Sequence, residues 1–226
     1  MDDSTPTKFA VELPSGAAEV SADLVRPADA WAILALAHGA GAGFRHPFLT
    51  GFSRGLAVEG VATLRFNFPY LEAGRRMPGP AAHAIATWAT AEAAAAEHGL
   101  PVWAGGKSYG GRMASMAAAE GRIAPAGLVY LGYPLHPPGD PAKTRTAHLP
   151  DVVPPQLFVA GSNDPFIQPV EQLEAAVESC RDAEILWIDG GGHSFEVKGR
   201  KRAADEIGAG LAALVAAWMR RRSTPA

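Results

Sequence analysis

The chain has 226 residues, a formal charge of −3 and 48% apolar residues, proportions that suit one α/β domain with a sizeable core. This balance gives no reason to expect nucleic acid as a partner, and no apolar run approaches the roughly 18 residues of a membrane span. The lone cysteine, Cys180, excludes intrachain disulfides and thiolate metal sites, and the acidic, polar N-terminus is not a secretory signal, so a cytoplasmic setting is expected.

Residues 8–24 alternate loosely around Pro14-Ser15-Gly16, which predicts a leading hairpin or two edge strands. Trp31 to Ala37 is a continuous apolar run, as in a strand buried on both faces. The glycine-rich loop that follows, His38-Gly39-Ala40-Gly41-Ala42-Gly43, fails the dinucleotide fingerprint in either register, because the third glycine falls on Phe44 or His46. An oxyanion loop fits better, with Ala40 as the backbone donor and Gly41 as the neighbouring alternative. His38, at a strand end, is read as fixing the loop by a hydrogen bond.

A helix is predicted over 47–58, beginning at Pro47, then a strand from Val61 to Phe68, with Phe66, Phe68 and Tyr70 assigned to core packing. Arg75 and Arg76 lie in a Pro/Gly loop and are read as solvated. Ala81 to His98 predicts a helix stopped by Gly99.

The next segment organises the chain. Val102-Trp103-Ala104-Gly105 reads as a buried strand, Gly106-Lys107-Ser108-Tyr109-Gly110 matches G-x-S-x-G, and an alanine-rich helix runs from Met113 to Glu120. Strand, sharp turn and helix is the context this motif requires to lift a serine hydroxyl clear of a sheet. The P-loop alternative fails, since Pro101 stands where that motif needs glycine.

Further strands are predicted over 127–131, 156–160 and 185–188, and helices over 166–177 and 203–220, the last with Leu211, Leu214, Val215 and Trp218 facing the core. The proline-punctuated connection from Tyr133 to Pro155 holds no long helix, so no large lid is expected. The basic runs at 198–202 and 220–222 are assigned to solvated surface.

Strand and helix patterns alternate throughout, which argues a mainly parallel sheet with helices on both faces. In such sheets ligands sit outside the carboxyl ends of the strands, where Ser108, Asp164 and His193 fall in the chain order nucleophile, acid, histidine. A serine hydroxyl needs an imidazole to remove its proton, and the imidazole needs a carboxylate to fix its tautomer. Asp189 and Asp140 rival Asp164 as the acid, while Ala40 and Tyr109 supply the oxyanion donors. Gly41, Lys107 and His136 are the candidate substrate contacts, although a structural role competes for His136, and an anchoring or salt-bridge role competes for Lys107. No ligand cluster suggests a metal, and no cofactor is expected.

These features resemble the α/β-hydrolases, and more narrowly a small lid-poor group of dienelactone-hydrolase-like hydrolases. The residues that carry the resemblance are His38-Gly39-Ala40-Gly41, Gly105 through Ser115, Tyr133 through Gly139, Asp164-Pro165-Phe166 and Gly192-His193-Ser194-Phe195. The resemblance implies hydrolase chemistry on a small-molecule acyl substrate, but dienelactone hydrolases proper carry cysteine where Ser108 stands, so their substrate does not transfer. The expected function is a serine hydrolase of esters, thioesters or similar acyl bonds. Two alternatives are a peptidase or amidase, and a scaffold used for binding, the latter motivated by relatives linked to chromatin complexes and by Lys107 beside the nucleophile. Oligomeric state is left open.

Overall fold

A computed structural model describes residues 4–223. The chain opens with a hairpin, β1 (Thr5–Leu13) and β2 (Gly16–Val25), followed by β3 (Ala32–Ala37), β4 (Val61–Phe66), β5 (Val102–Lys107), β6 (Leu128–Leu131), β7 (Gln156–Gly161) and β8 (Ala183–Ile188). They form one sheet in the order β1-β2-β4-β3-β5-β6-β7-β8. The hairpin joins β4 antiparallel, and the strands from β4 to β8 run parallel. The helices are α1 (Pro47–Val58), α2 (Pro69–Glu72), α3 (Ala81–Ala96), α4 (Tyr109–Ala119), α5 (Glu171–Glu178) and α6 (Ala204–Ser223). Among the described residues no helix is long and apolar enough to cross a membrane.

The continuous apolar runs are continuous because both sheet faces are covered. In β3 every residue is buried, and the side chains divide with the two-residue period of a strand. Ile33, Ala35 and Ala37 enter a core with Trp88 of α3 and Met113 of α4. Leu34 and Leu36 enter a second core with Phe52 of α1 and Leu211 and Val215 of α6. The parallel strands therefore end together along one edge, and the loops that follow them share that edge.

The sheet also buries a charge pair. Arg65 of β4 pairs in register with Asp23 of β2, and its Nε and Nη2 donate to the two carboxylate oxygens at 2.8 and 2.7 Å. Both side chains are fully buried, and Nη1 donates to Thr50 Oγ1 on α1 at 2.9 Å. A bidentate fork satisfies both carboxylate oxygens, the condition under which a buried pair is tolerated.

The structure corrects several local expectations. α4 begins at Tyr109 rather than Met113, so Ser108 abuts the helix directly. The helix predicted from Phe166 starts only at Glu171; Pro165 and Pro169 interrupt the preceding segment, and Asp164 Oδ1 accepts from Phe166 N in a local turn. Leu214 on α6 is 47% exposed, while Leu211, Val215 and Trp218 are buried as the period requires. The short α2 was not anticipated, because a four-residue helix has no period to read. Residues 132–155 carry a single three-residue 3-10 turn, Leu149–Asp151, and no lid helices.

α1 and α6 cross so closely that glycine is required at the contact. A Cβ on Gly208 would lie 2.1 Å from Phe48 O, whereas one on Gly210 would meet only the flexible end of Arg202 at 3.1 Å. Alanine favours a helix interior over glycine by about 1 kcal/mol, but overpacking against backbone costs about 1–3 kcal/mol, and at 2.1 Å the clash prevails. Gly208→Ala is expected to lower the urea midpoint with an unchanged m-value, while Gly210→Ala leaves it level or raises it. Equal responses of the two variants would refute the close crossing.

Candidate active site

Ser108 is the single residue between β5 and α4, with φ 49° and ψ −111°. A positive φ on a residue bearing Cβ costs of order 1–3 kcal/mol and persists only where neighbours enforce it. Here the enforcement is steric. A Cβ at Gly106 would lie 2.6 Å from the backbone of Gly110 and Gly111, and one at Gly110 would lie 2.6 Å from His38 O. The turn is further tied by Ser108 N donating to Leu131 O at 3.0 Å and Trp88 Nε1 donating to Gly110 O at 3.2 Å.

Two other strand-end loops meet this serine. His193 Nε2 lies 2.9 Å from Ser108 Oγ, and His193 Nδ1 lies 2.7 Å from Asp164 Oδ2. Asp164 is fully buried; its second oxygen accepts from Phe166 N at 2.8 Å. The Phe166 ring lies over the imidazole, centroids 4.1 Å apart. With Nδ1–H given to the carboxylate, Nε2 of the neutral ring is left to accept from the serine hydroxyl. Asp140 pairs instead with Lys143 at 2.7 Å, and Asp189 is exposed.

The glycine-rich loop is fixed beside the serine by His38. Its Nδ1 donates to Gly39 O at 2.7 Å, and its Nε2 accepts from Phe68 N at 3.1 Å. These bonds require one neutral tautomer, and burial, which outweighs the Gly39 carbonyl, pushes the imidazole pKa down to about 4. The Gly41 amide donates to the Tyr70 hydroxyl at 3.2 Å, with Gly41 at φ 72°. The amides of Ala40 and Tyr109 have no hydrogen-bond partner among the described residues, and both residues line the hollow above Ser108.

That hollow has a volume of about 530 Å³, within the range of small-molecule sites. Ser108, His193 and Lys107 line it, together with His46, Arg112 and Arg145. Phe48, Leu49, Phe166, Met77 and Pro78 give it apolar walls. A larger hollow, about 690 Å³, lies by the hairpin near Lys8 and Phe44, and none of the sequence-predicted site residues lines it.

Of the three candidate substrate contacts, only Lys107 lines the hollow. Its Nζ donates to His193 O at 2.8 Å and so ties the histidine loop to the end of β5. Gly41 turns its amide to Tyr70, and His136 is fully buried with Nδ1 on Pro137 O at 2.8 Å, outside the lining. The sequence reading missed His46 and Arg145, and quoted Arg112 and Phe166 without giving either a role. Arg112 was within reach of helical spacing, since it lies four residues, about one turn, beyond Ser108. Arg145 sits on an irregular loop with no periodic signal. No group of three His, Cys, Asp or Glu side chains converges as a metal would require, among the described residues.

A family model described as alpha/beta hydrolase domain matches residues 30–220. The fold is similar to that of a dienelactone hydrolase from Anabaena variabilis, at 23% identity and a TM-score of 0.70, covering 96% of this chain and 98% of that one. It is also similar to an alpha-beta serine hydrolase homologue from Coxiella burnetii, at 18% identity, a TM-score of 0.69 and 99% of each chain. A third likeness is to a serine hydrolase without a lid from Xanthomonas campestris, at 19% identity and a TM-score of 0.65, covering 98% of this chain and 96% of that one.

Burial pushes the Lys107 ammonium down to about 8 from its ordinary 10.5, against the opposing pull of Asp164 and Glu196. The unfolded chain therefore binds more protons than the folded one between these values, so Lys107 makes stability rise with pH across that window. The expected outcome is that wild type gains stability relative to Lys107→Met between pH 8 and 10.5, read from urea midpoints. Parallel profiles would show that Lys107 titrates normally.

Proposed function

We propose that this chain, a member of the alpha/beta hydrolase domain family, is a carboxylesterase-like serine hydrolase acting on small-molecule esters, thioesters or similar acyl bonds through Ser108, His193 and Asp164. The observation that carries the reading is the unbroken proton path from the Ser108 hydroxyl through His193 to buried Asp164, at 2.9 and 2.7 Å. A scaffold used only for binding has no need of such alignment, nor of a serine held at positive φ.

In this mechanism Ser108 Oγ attacks the acyl carbonyl carbon as His193 Nε2 takes the hydroxyl proton. Asp164 accepts the other ring N–H and stabilises the imidazolium. Negative charge develops on the carbonyl oxygen, where the Ala40 and Tyr109 amides and the positive end of α4 receive it; one such donor is typically worth about 3–4 kcal/mol in the transition state. Collapse expels the leaving group, which takes its proton from His193, and leaves an acyl-enzyme. Water then attacks the ester under the same base and restores Ser108. Lys107, through His193 O, holds the histidine loop in place.

A fluorophosphonate is expected to add stoichiometrically to Ser108 in intact-mass and peptide mapping, and not to add in Ser108→Ala or His193→Ala. Asp164→Asn is expected to lower ester kcat by about 10⁴, since the tautomer then presented to serine is wrong. Absence of an adduct on folded wild type would refute the reading. Amide substrates run alongside the esters separate an esterase from a peptidase.

A further inference from the structure

Among the described residues, three cations and no acid line the hollow above Ser108. Lys107 and His46 both line it, and the charge of Lys107 adds to burial in lowering the pKa of His46. Arg112 and Arg145 both line it, and the charge of Arg112 adds to burial in lowering the pKa of Arg145. Like charges repel, and a half-buried pair of guanidiniums is usually neutralised by carboxylates. Among the described residues neither guanidinium makes a hydrogen bond or an ion pair, and Arg112 Nε is buried with no partner.

The backbones that carry these heads are, by contrast, held firmly. Arg112 N donates to Ser108 O at 3.0 Å, and its carbonyl accepts from Ser115 Oγ at 2.8 Å. Arg145 N donates to Leu135 O at 2.7 Å, and its carbonyl accepts from the Tyr133 hydroxyl at 3.0 Å. His148 closes the network on Ser115 Oγ at 2.7 Å. Burial, reinforced by Arg112, pushes His148 down to about 4, so it stays neutral and adds no charge of its own. Ser115, His148 and the Tyr133 hydroxyl are thus engaged with each other or with the arginine backbones, and two charged side chains are left lining the hollow.

We infer that Arg112 and Arg145 form an anion subsite, and that the acyl substrate carries a carboxylate or phosphate about one helical turn from the carbonyl that Ser108 attacks. This deepens the proposed hydrolase reading and rests on it for the placement of that carbonyl. Arg112 follows Ser108 by four residues, a rise of about 6 Å along α4, so a short acyl chain spans from nucleophile to fork. A guanidinium fork matches a planar carboxylate or a phosphate in bidentate fashion, which a lysine ammonium does not.

The test compares mono-4-nitrophenyl glutarate with 4-nitrophenyl pentanoate, acyl chains that differ by a carboxylate in place of the terminal methyl. Wild type is expected to prefer the glutarate ester in kcat/KM by about tenfold to a hundredfold. That ratio is expected to fall to near one in Arg112→Met and to an intermediate value in Arg112→Lys, which keeps the charge without the fork. A wild-type ratio near one, with both esters hydrolysed, overturns the subsite and leaves the serine hydrolase standing. A preference that survives in both Arg112→Met and Arg145→Met also overturns it. If neither ester turns over, the hydrolase reading fails, and calorimetric titration of glutarate and of inorganic phosphate into Ser108→Ala protein decides the subsite. Binding of either that is lost on adding Arg112→Met supports it, with the tighter probe telling carboxylate from phosphate; binding of neither overturns it.

Discussion

The closeness of β5 to α4 is the constraint on which the carboxyl edge of this molecule depends. No side chain fits at Gly106 or Gly110, so the chain reverses from strand to helix across one residue, and that residue must take up the conformational cost. Strain at Ser108 is therefore a result of packing density rather than a property of serine. The same packing orients the serine, because a residue with neighbours this close has one available position. The hydroxyl projects from it toward the loops that follow β7 and β8.

Those loops reach the serine by different physical routes. Asp164 is set by its own local turn and by complete burial, so its carboxylate is stationary before any ligand arrives. His193 lies on a freer loop and is held from three sides, by Asp164, by the Phe166 ring and by the Lys107 ammonium on its carbonyl. On the other side of the serine, His38 fastens the glycine-rich loop to the end of β4 through a single neutral tautomer. Each loop is bound to a neighbouring strand end, and so the separation of the groups follows from the sheet spacing.

Much of this was legible in the sequence because it depends on short-range rules. Buried parallel strands announce themselves as apolar runs, and the order of Ser108, Asp164 and His193 behind three such runs identified the residues that meet. The helix before Glu171 was misread because the stretch from Phe166 was carried across Pro169, whose ring restricts the backbone around it. Ala40 was named as the donor with Gly41 left as the alternative, because the group that takes the Gly41 amide is a hydroxyl from Tyr70, twenty-nine residues away. His136 follows β6 two residues after Pro134, which lines the hollow, and nothing in its spacing tells that its own ring is buried with Nδ1 on Pro137 O. Arg145 was invisible for the same reason: its meeting with Arg112 is made by an irregular loop.

The buried pair of Asp23 and Arg65 bears on how the hairpin finds its place. Only four residues of β2 pair with β4, a short seam on which to align two strands. A slip of one residue would turn Asp23 to the opposite face of the sheet and leave Arg65 facing a methyl or methylene. An unmatched buried charge costs about 3–5 kcal/mol, a large share of the roughly 5–15 kcal/mol by which domains are stable. The pair thus acts as a key cut for one alignment, and the antiparallel edge of this sheet carries its own proofreading in a single salt bridge.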